Sequence, residues 1–77
     1  MISSNDRNRV LLSLRDRPEG VDSVGLIETL CLSRETIERQ LLSCKDYGLA
    51  TWARNRNGSG LAAITNWGRD YLVRQGL

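Results

Sequence analysis

The chain has 77 residues, of which 40% are hydrophobic and 26% are charged, and its net charge at pH 7 is +2. A chain of this length is expected to form a single domain over residues 1–77, with a thin core and no room for a deep substrate cavity. The composition is that of a folded protein rather than a disordered tail. An isoelectric point near 8.8 allows a nucleic-acid partner without requiring one.

The chain has no histidine and two cysteines, Cys31 and Cys44. A zinc site normally needs four Cys or His ligands, so no metal or cofactor is expected. Both cysteines occupy apolar positions of helical patterns, so we expect them to act as small hydrophobic residues rather than to form a disulfide bond. The first residues lack the apolar run of a signal peptide, and no stretch approaches the roughly 18 apolar residues of a membrane span. We therefore expect a cytoplasmic protein with no membrane partner.

Two helical patterns open the chain. The first runs from about Ser4 to Arg17, where Pro18 and Gly20 stop it. The second follows a short extended segment, Val21-Asp22, and Ser23 can cap it. The apolar faces consist of Val10, Leu11 and Leu14 in the first helix, and of Leu26, Ile27 and Leu30 in the second.

A third helix is predicted after a tight turn at Cys31-Leu32. Ser33 can cap its start, and Gly48 can end it because glycine adopts the left-handed conformation at little cost. The inward face is predicted from the i, i+4, i+7 spacing of Ile37, Leu41 and Cys44. At 100° per residue, the side chains that point most directly outward are Glu35, Arg39 and Asp46, flanked by Thr36, Glu38, Leu42 and Ser43.

The period changes from helix to strand after Gly48. Residues 49–54 alternate, residues 61–65 are a second strand candidate, and the polar loop between them contains the turn signal Asn57-Gly58. This pattern predicts a β-hairpin with a polar tip. A last helix is predicted from Asn66 to about Gln75, with Trp67, Tyr71 and Leu72 on its apolar side. Because the chain lacks phenylalanine, we expect its large aromatic residues in the core rather than stacked on bases: Trp52, Trp67 and Tyr71.

The run from Leu26 to Leu49, LIETLCLSRETIERQLLSCKDYGL, resembles the bacterial winged helix-turn-helix pattern. In that pattern a short helix, a turn ending in Leu-Ser and a longer helix ending in Gly-Leu precede a β-wing. The segment from Ile64 to Leu72 is similar to the closing part of that superfamily. Two positions depart from the pattern: Cys31 stands where glycine is common, and Glu28 where a small residue is common.

The resemblance implies an α+β, mostly α fold: a three-helix bundle with a helix-turn-helix, a two-stranded β-hairpin wing and a C-terminal helix. It also implies that the reading helix, residues 33–47, enters the major groove of double-stranded DNA. The wing, residues 54–60, would then lie on the backbone or in the minor groove. The candidate DNA-binding residues are Ser33, Arg34, Glu35, Thr36, Arg39, Ser43, Arg54, Asn55, Arg56 and Asn57.

Each of these residue types suits its predicted contact. Arg39 can bind a guanine edge through two parallel hydrogen bonds, and Thr36 can contact a thymine methyl group or a phosphate. Ser33 and Arg34 can contact phosphates near the start of the reading helix. Within the wing, arginine side chains and asparagine amides lie beside a glycine-rich tip that can approach DNA closely.

The charge of the reading helix leaves a second interpretation open. Its acids equal its bases, and two of its acid–base pairs have the i, i+4 spacing that stabilises a helix exposed only to solvent. Residues 49–60 carry two arginines and no acid, which favours DNA. The alternative is a winged helix that binds another protein, for which the outward Leu42 is an argument.

We therefore predict a sequence-specific DNA-binding regulator of phage or bacterial type. Because one reading helix gives weak specificity, we expect a homodimer or cooperative assembly on DNA. The first helix, the last helix and residues 73–77 are the candidate interface. No small-molecule ligand is evident. The sequence also lacks paired carboxylates, a P-loop and a nucleophile–base arrangement, so we do not expect an enzyme.

Overall fold

The computed structural model describes residues 4–77, and side chains from Asn5 onward. The elements are α1 Ser4–Arg15, β1 Val21–Asp22, α2 Ser23–Leu30, α3 Arg34–Asp46, β2 Ala50–Arg54, β3 Gly60–Ile64 and α4 Asn66–Arg74. The predicted order of helices, turn and hairpin is confirmed, and the hairpin strands lie within one residue of their predicted bounds. None of the described helices is long and apolar enough to cross a membrane.

The three strands form one antiparallel sheet in the order β1-β3-β2. In the hairpin, Trp52 lies opposite Ala62, and on the other side of β3 the short β1 places Val21 opposite Ala62 as well. The sequence indicated an extended segment at Val21-Asp22 and a two-stranded wing. The third strand arises because β3 also pairs with Val21 and Asp22, about 40 residues earlier in the chain. A local sequence pattern does not encode such a pairing.

Side chains cap the starts of three helices. The caps and the backbone amides they accept from are Asp22 with Val24 (2.9 Å), Ser33 with Thr36 (3.1 Å) and Thr65 with Gly68 (3.1 Å). The Ser33 cap was predicted. Ser23 was predicted to cap α2 but is the first residue of that helix, because Asp22 takes the extended cap conformation. The buried Ser23 hydroxyl instead donates to the carbonyl oxygen of Gly58 at 3.5 Å.

The core lies between the helices and the inner face of the hairpin. It consists of Val10, Leu11, Leu14, Leu26, Ile37, Leu41, Cys44, Leu49, Ala50, Trp52, Ala62 and Leu72. The inward face predicted for α3 is therefore confirmed. Gln40 is buried on the same face, and its Oε1 has no hydrogen-bond partner among the described residues. A pattern of apolar spacing does not detect such a buried polar residue.

Trp67 is exposed over 72% of its surface, so its predicted place in the core is wrong. The orientation of α4 is set by Gly68 and Leu72, which are buried, with the Gly68 backbone close to the carbonyl of Leu49. This orientation turns Trp67 towards solvent. The predictions for Trp52, which is buried, and for Tyr71, which packs partly buried against the core, are confirmed.

Cys31 has φ 54° and ψ 36° and is the one non-glycine residue in the left-handed region within residues 4–77. The helix-turn-helix turn thus forms with cysteine where glycine is common. Cys31 is exposed, whereas Cys44 is buried, so the role of a small hydrophobic residue expected for both cysteines suits only Cys44. The turn residue projects from the surface because α2 ends there. Glu28, the other departure from the pattern, is exposed to solvent.

Candidate nucleic-acid interface

The outward face of α3 carries an ion pair along the helix. Arg39 Nη2 lies 2.8 Å from Glu35 Oε1, and both side chains are exposed, as the i, i+4 spacing predicted. The guanidinium of Arg39 therefore faces solvent with one carboxylate partner already in place. Such a pairing limits the rotamers of Arg39 and leaves other N–H groups able to donate to a base edge.

The start of α3 is organised by two hydroxyl groups. Ser33 Oγ donates to Thr36 Oγ1 at 2.8 Å and accepts from the Thr36 backbone amide. The hydroxyl hydrogen of Ser33 is thus used inside the cap. The Thr36 hydroxyl keeps its own hydrogen, so of these two side chains Thr36 is the one able to donate to an anion.

Ser43 faces α1 rather than the outermost line of α3. It accepts a hydrogen bond from Arg7 Nη2 at 3.2 Å, and the Arg7 guanidinium lies 5.1 Å from the centre of the Tyr47 ring. Of the predicted contacts on α3, Ser43 is therefore the one that links two helices.

Cys44 is next to this link and is not a reactive thiol. Burial raises the pKa of the Cys44 thiol to about 11, and the opposing effect of the Arg7 charge is smaller. Cys44 is therefore protonated at neutral pH and behaves as a small hydrophobic residue.

The tip of the hairpin is a loop closed by its own polar groups. The backbone N–H of Asn55 donates to the backbone carbonyl of Ser59 at 2.7 Å. The backbone N–H of Gly58 donates to the backbone carbonyl of Asn55 at 3.0 Å. Asn57 Oδ1 accepts from both the backbone amide and the hydroxyl of Ser59. The two asparagine side chains predicted to contact DNA thus also hold the shape of the loop, since Asn55 Nδ2 donates to the Ser59 hydroxyl.

The helix–wing junction consists of Arg34, Glu38, Arg54 and Gly58. Arg34 donates to the carbonyl of Asn57 and lies 3.9 Å from Glu38, while Arg54 Nη2 lies 3.3 Å from the same Glu38 carboxylate. Gly58 is buried in this junction with φ +81°. The structure therefore brings the start of α3 and the hairpin into one surface, which includes the predicted residues Arg34 and Arg54.

The two wing arginines have different surroundings. Arg54 is paired with Glu38 and lies over the Trp52 ring at 5.5 Å, whereas Arg56 is exposed and has no acidic partner among residues 4–77. From the sequence alone, the two arginines are equivalent cations. No sequence pattern marks Glu38 and Gly58 as junction residues, although the i, i+4 spacing of Arg34 and Glu38 is a partial signal.

Solved structures of the PcaV transcriptional regulator from Streptomyces coelicolor resemble this chain. One superposes over 92% of this chain and 53% of PcaV, with 27% identity and a TM-score of 0.80. The structure of PcaV with its natural ligand gives 28% identity and a TM-score of 0.79 over 91% of this chain and 50% of PcaV. The fold is a winged helix-turn-helix.

This winged helix spans about half the length of PcaV. No family model matches its sequence, and no curated protein does. PcaV is a transcriptional regulator. PcaV has a natural ligand, which is at odds with the expectation from the sequence that no small-molecule ligand is evident.

Proposed function

We propose that this winged helix binds double-stranded DNA in a sequence-specific manner, as the DNA-binding domain of a transcriptional regulator of bacterial or phage type. The observation that carries the proposal is the continuous surface formed by the reading helix and the wing at the helix–wing junction. The similarity to PcaV regulators supports it. Residues 33–47 would enter the major groove, and residues 54–60 would lie on the backbone or in the minor groove.

The candidate residues divide into two roles. Arg39, held by Glu35, contacts a base edge, and Thr36 donates to a nearby phosphate or packs on a thymine methyl. Phosphate contacts come from Arg34, Ser43, Arg54, Asn55, Arg56 and Asn57. Ser33, whose hydroxyl hydrogen is bonded to Thr36 Oγ1, contributes by orienting the Thr36 hydroxyl. Because the acids of α3 reduce indiscriminate attraction to phosphate, Arg56 supplies most of the non-specific attraction.

Binding to duplexes tests these roles through three matched losses of one positive charge. We expect Arg56→Ala to weaken binding to every duplex alike. The negative slope of log K against log salt should become shallower by about 0.9. Arg39→Ala is expected to reduce discrimination at one base pair by about 1–3 kcal/mol. Arg17→Ala, in the exposed connection after α1, is the control and should change neither quantity. A motif selected from random duplexes at near-physiological salt supplies the specific site.

The competing function is binding to another protein through the same fold. Leu42 is exposed on the outer side of α3, which favours that function. The two are separated by the same titrations. Weak, salt-insensitive binding that is identical for the wild type, Arg39→Ala and Arg56→Ala would exclude the DNA proposal.

We propose further that residues 1–77 form a single domain that acts in the cytoplasm as a homodimer or cooperatively on DNA. A single reading helix gives limited specificity, and pairing two of them on a repeated site multiplies it. Exposed apolar side chains on α4 and after it support this assembly: Trp67, Val73 and Leu77.

A further inference from the structure

We infer that Glu38 is a positioning residue, which fixes the wing against the reading helix and thereby sets how Arg34 and Arg54 meet DNA phosphates. The inference rests on the proposed function and extends it. Glu38 is an acid on a flank of α3 and was not among the candidate DNA-binding residues. Its importance follows from its position between two elements that are separate in sequence.

One carboxylate holds two arginines. Glu38 Oε2 lies 3.9 Å from Arg34 Nε on the same helix, and Glu38 Oε1 lies 3.3 Å from Arg54 Nη2 at the end of β2. Arg34 in turn donates to the Asn57 carbonyl in the hairpin loop. The reading helix and the hairpin are therefore joined at both the end of a strand and the loop.

The loop also packs against this junction. Gly58 is buried with φ +81°, and a Cβ at this position would overlap the ends of Arg34 and Glu38. Its carbonyl accepts from the buried hydroxyl of Ser23 at the start of α2. The wing is thus in contact with both helices of the helix-turn-helix, and Glu38 is the charged group at the centre of that contact.

The charges suit a phosphate as the outer partner. Two guanidinium groups and one carboxylate leave the junction with a net charge of +1. The Glu38 side chain is only 22% exposed, whereas Arg34 and Arg54 are 61% and 52% exposed. The carboxylate therefore lies beneath the arginines and orients them, while their remaining N–H groups face solvent and can donate to the DNA backbone.

Glu35 provides a matched control because it has the same charge on the same helix. Its side chain is 83% exposed and pairs with Arg39, one turn along α3, rather than with the wing. Glu35→Gln and Glu38→Gln therefore change the net charge equally, and only Glu38→Gln removes the link to Arg54. Arg54→Gln breaks the same link with the opposite change in charge.

Hydrogen exchange in the protein without DNA tests the link itself. The reporters are the backbone amides of Asn55 and Gly58, which donate within the hairpin loop. We expect Glu38→Gln and Arg54→Gln each to speed their exchange by about three- to fivefold, as expected for loss of a partly exposed ion pair. Glu35→Gln should leave these rates unchanged. Equal rates in Glu35→Gln and Glu38→Gln would overturn the inference.

Binding to DNA tests the consequence. Both glutamine variants should bind random duplex more tightly than the wild type, because each removes one negative charge. Glu35→Gln also frees Arg39, so the reference for specificity is Asp46→Asn, which removes the same charge from an exposed position at the end of α3. Glu38→Gln should in addition lower the ratio of specific to random affinity by about three- to tenfold relative to Asp46→Asn, because the wing no longer has a fixed position. Equal ratios in Glu38→Gln and Asp46→Asn contradict a positioning role. If the wild type binds no duplex, the proposed function fails, while the exchange rates still decide whether Glu38 holds the wing.

Discussion

Gly25 and Gly68 both lie within helices, yet their surroundings differ. A Cβ at Gly25 in α2 would lie 3.4 Å from Val21 Cγ1, which is an ordinary van der Waals contact. At Gly68 in α4, a Cβ would overlap the backbone carbonyl of Leu49, which also accepts a hydrogen bond from the Thr65 amide. At Gly25, helix propensity favours alanine and the packing permits it. At Gly68, helix propensity favours alanine but the packing opposes it.

The same substitution should thus have opposite effects at these two positions. We expect Gly25→Ala to raise the free energy of unfolding by about 0.5–1 kcal/mol, because alanine restricts the unfolded chain. Gly68→Ala is expected to lower it by about 2 kcal/mol, because α4 has to move away from Leu49. Urea unfolding followed by tryptophan fluorescence measures both values. Stabilisation by Gly68→Ala would show that α4 does not pack as closely as described.

At the level of the helices, the caps of α3 and α4 differ in what else they hold. Ser33 is exposed and serves the start of α3 alone. Thr65 caps α4 and also donates from its partly buried hydroxyl to the Gly48 carbonyl at 2.6 Å. That second bond ties the end of the reading-helix segment to the start of the last helix.

Removal of each cap should therefore have different costs. Ser33→Ala is expected to destabilise the protein by about 1 kcal/mol, the usual value for one lost cap. Thr65→Val keeps the shape of the side chain but leaves the Gly48 carbonyl without its partner, and we expect a loss of about 2–3 kcal/mol. Chemical denaturation of the two variants under the same conditions gives the comparison. Equal losses would mean that the bond to Gly48 contributes nothing.

Across the molecule, two exposed aromatic side chains, Tyr47 and Trp67, lie together beside α4. Trp67 and the exposed Tyr47 line one shallow groove, with Arg74 and Asp70 paired at its edge. Large exposed aromatic side chains are typical of residues that dominate protein interfaces. This surface is the one we assign to the second copy in the proposed dimer or cooperative assembly.

Trp67→Ser should therefore weaken self-association on DNA by about tenfold or more, as expected for a central aromatic contact. Leu61→Ser is the control, because Leu61 is also a large exposed apolar residue, at 52%, but lies on the hairpin. Analytical ultracentrifugation of each variant with a two-site duplex reports the stoichiometry and the cooperativity. If Leu61→Ser and Trp67→Ser behave alike, the interface lies elsewhere.

Residue spacing along the chain is enough to predict the order of the elements, the inward face of α3 and the Glu35–Arg39 pair. These features depend on residues within a few positions of one another, where helix and hairpin geometry fix the distances. The cap at Ser33 and the polar hairpin tip are local in the same way. The resemblance to winged helices added the arrangement of these elements, because their order is itself distinctive.

Contacts between separate elements, in contrast, become visible only in the folded chain. The pairing of β1 with β3, the hydrogen bond from Arg7 to Ser43 and the ion pair between Glu38 and Arg54 each join residues far apart in the chain. The close packing of Gly68 on Leu49 likewise turns Trp67 outward. Such contacts are set by how the faces of separate elements pack together, and side-chain spacing along one element carries no information about them. The spacing along each element therefore suggests candidate contacts, whereas the ion pair between Glu38 and Arg54 is seen only in the folded structure.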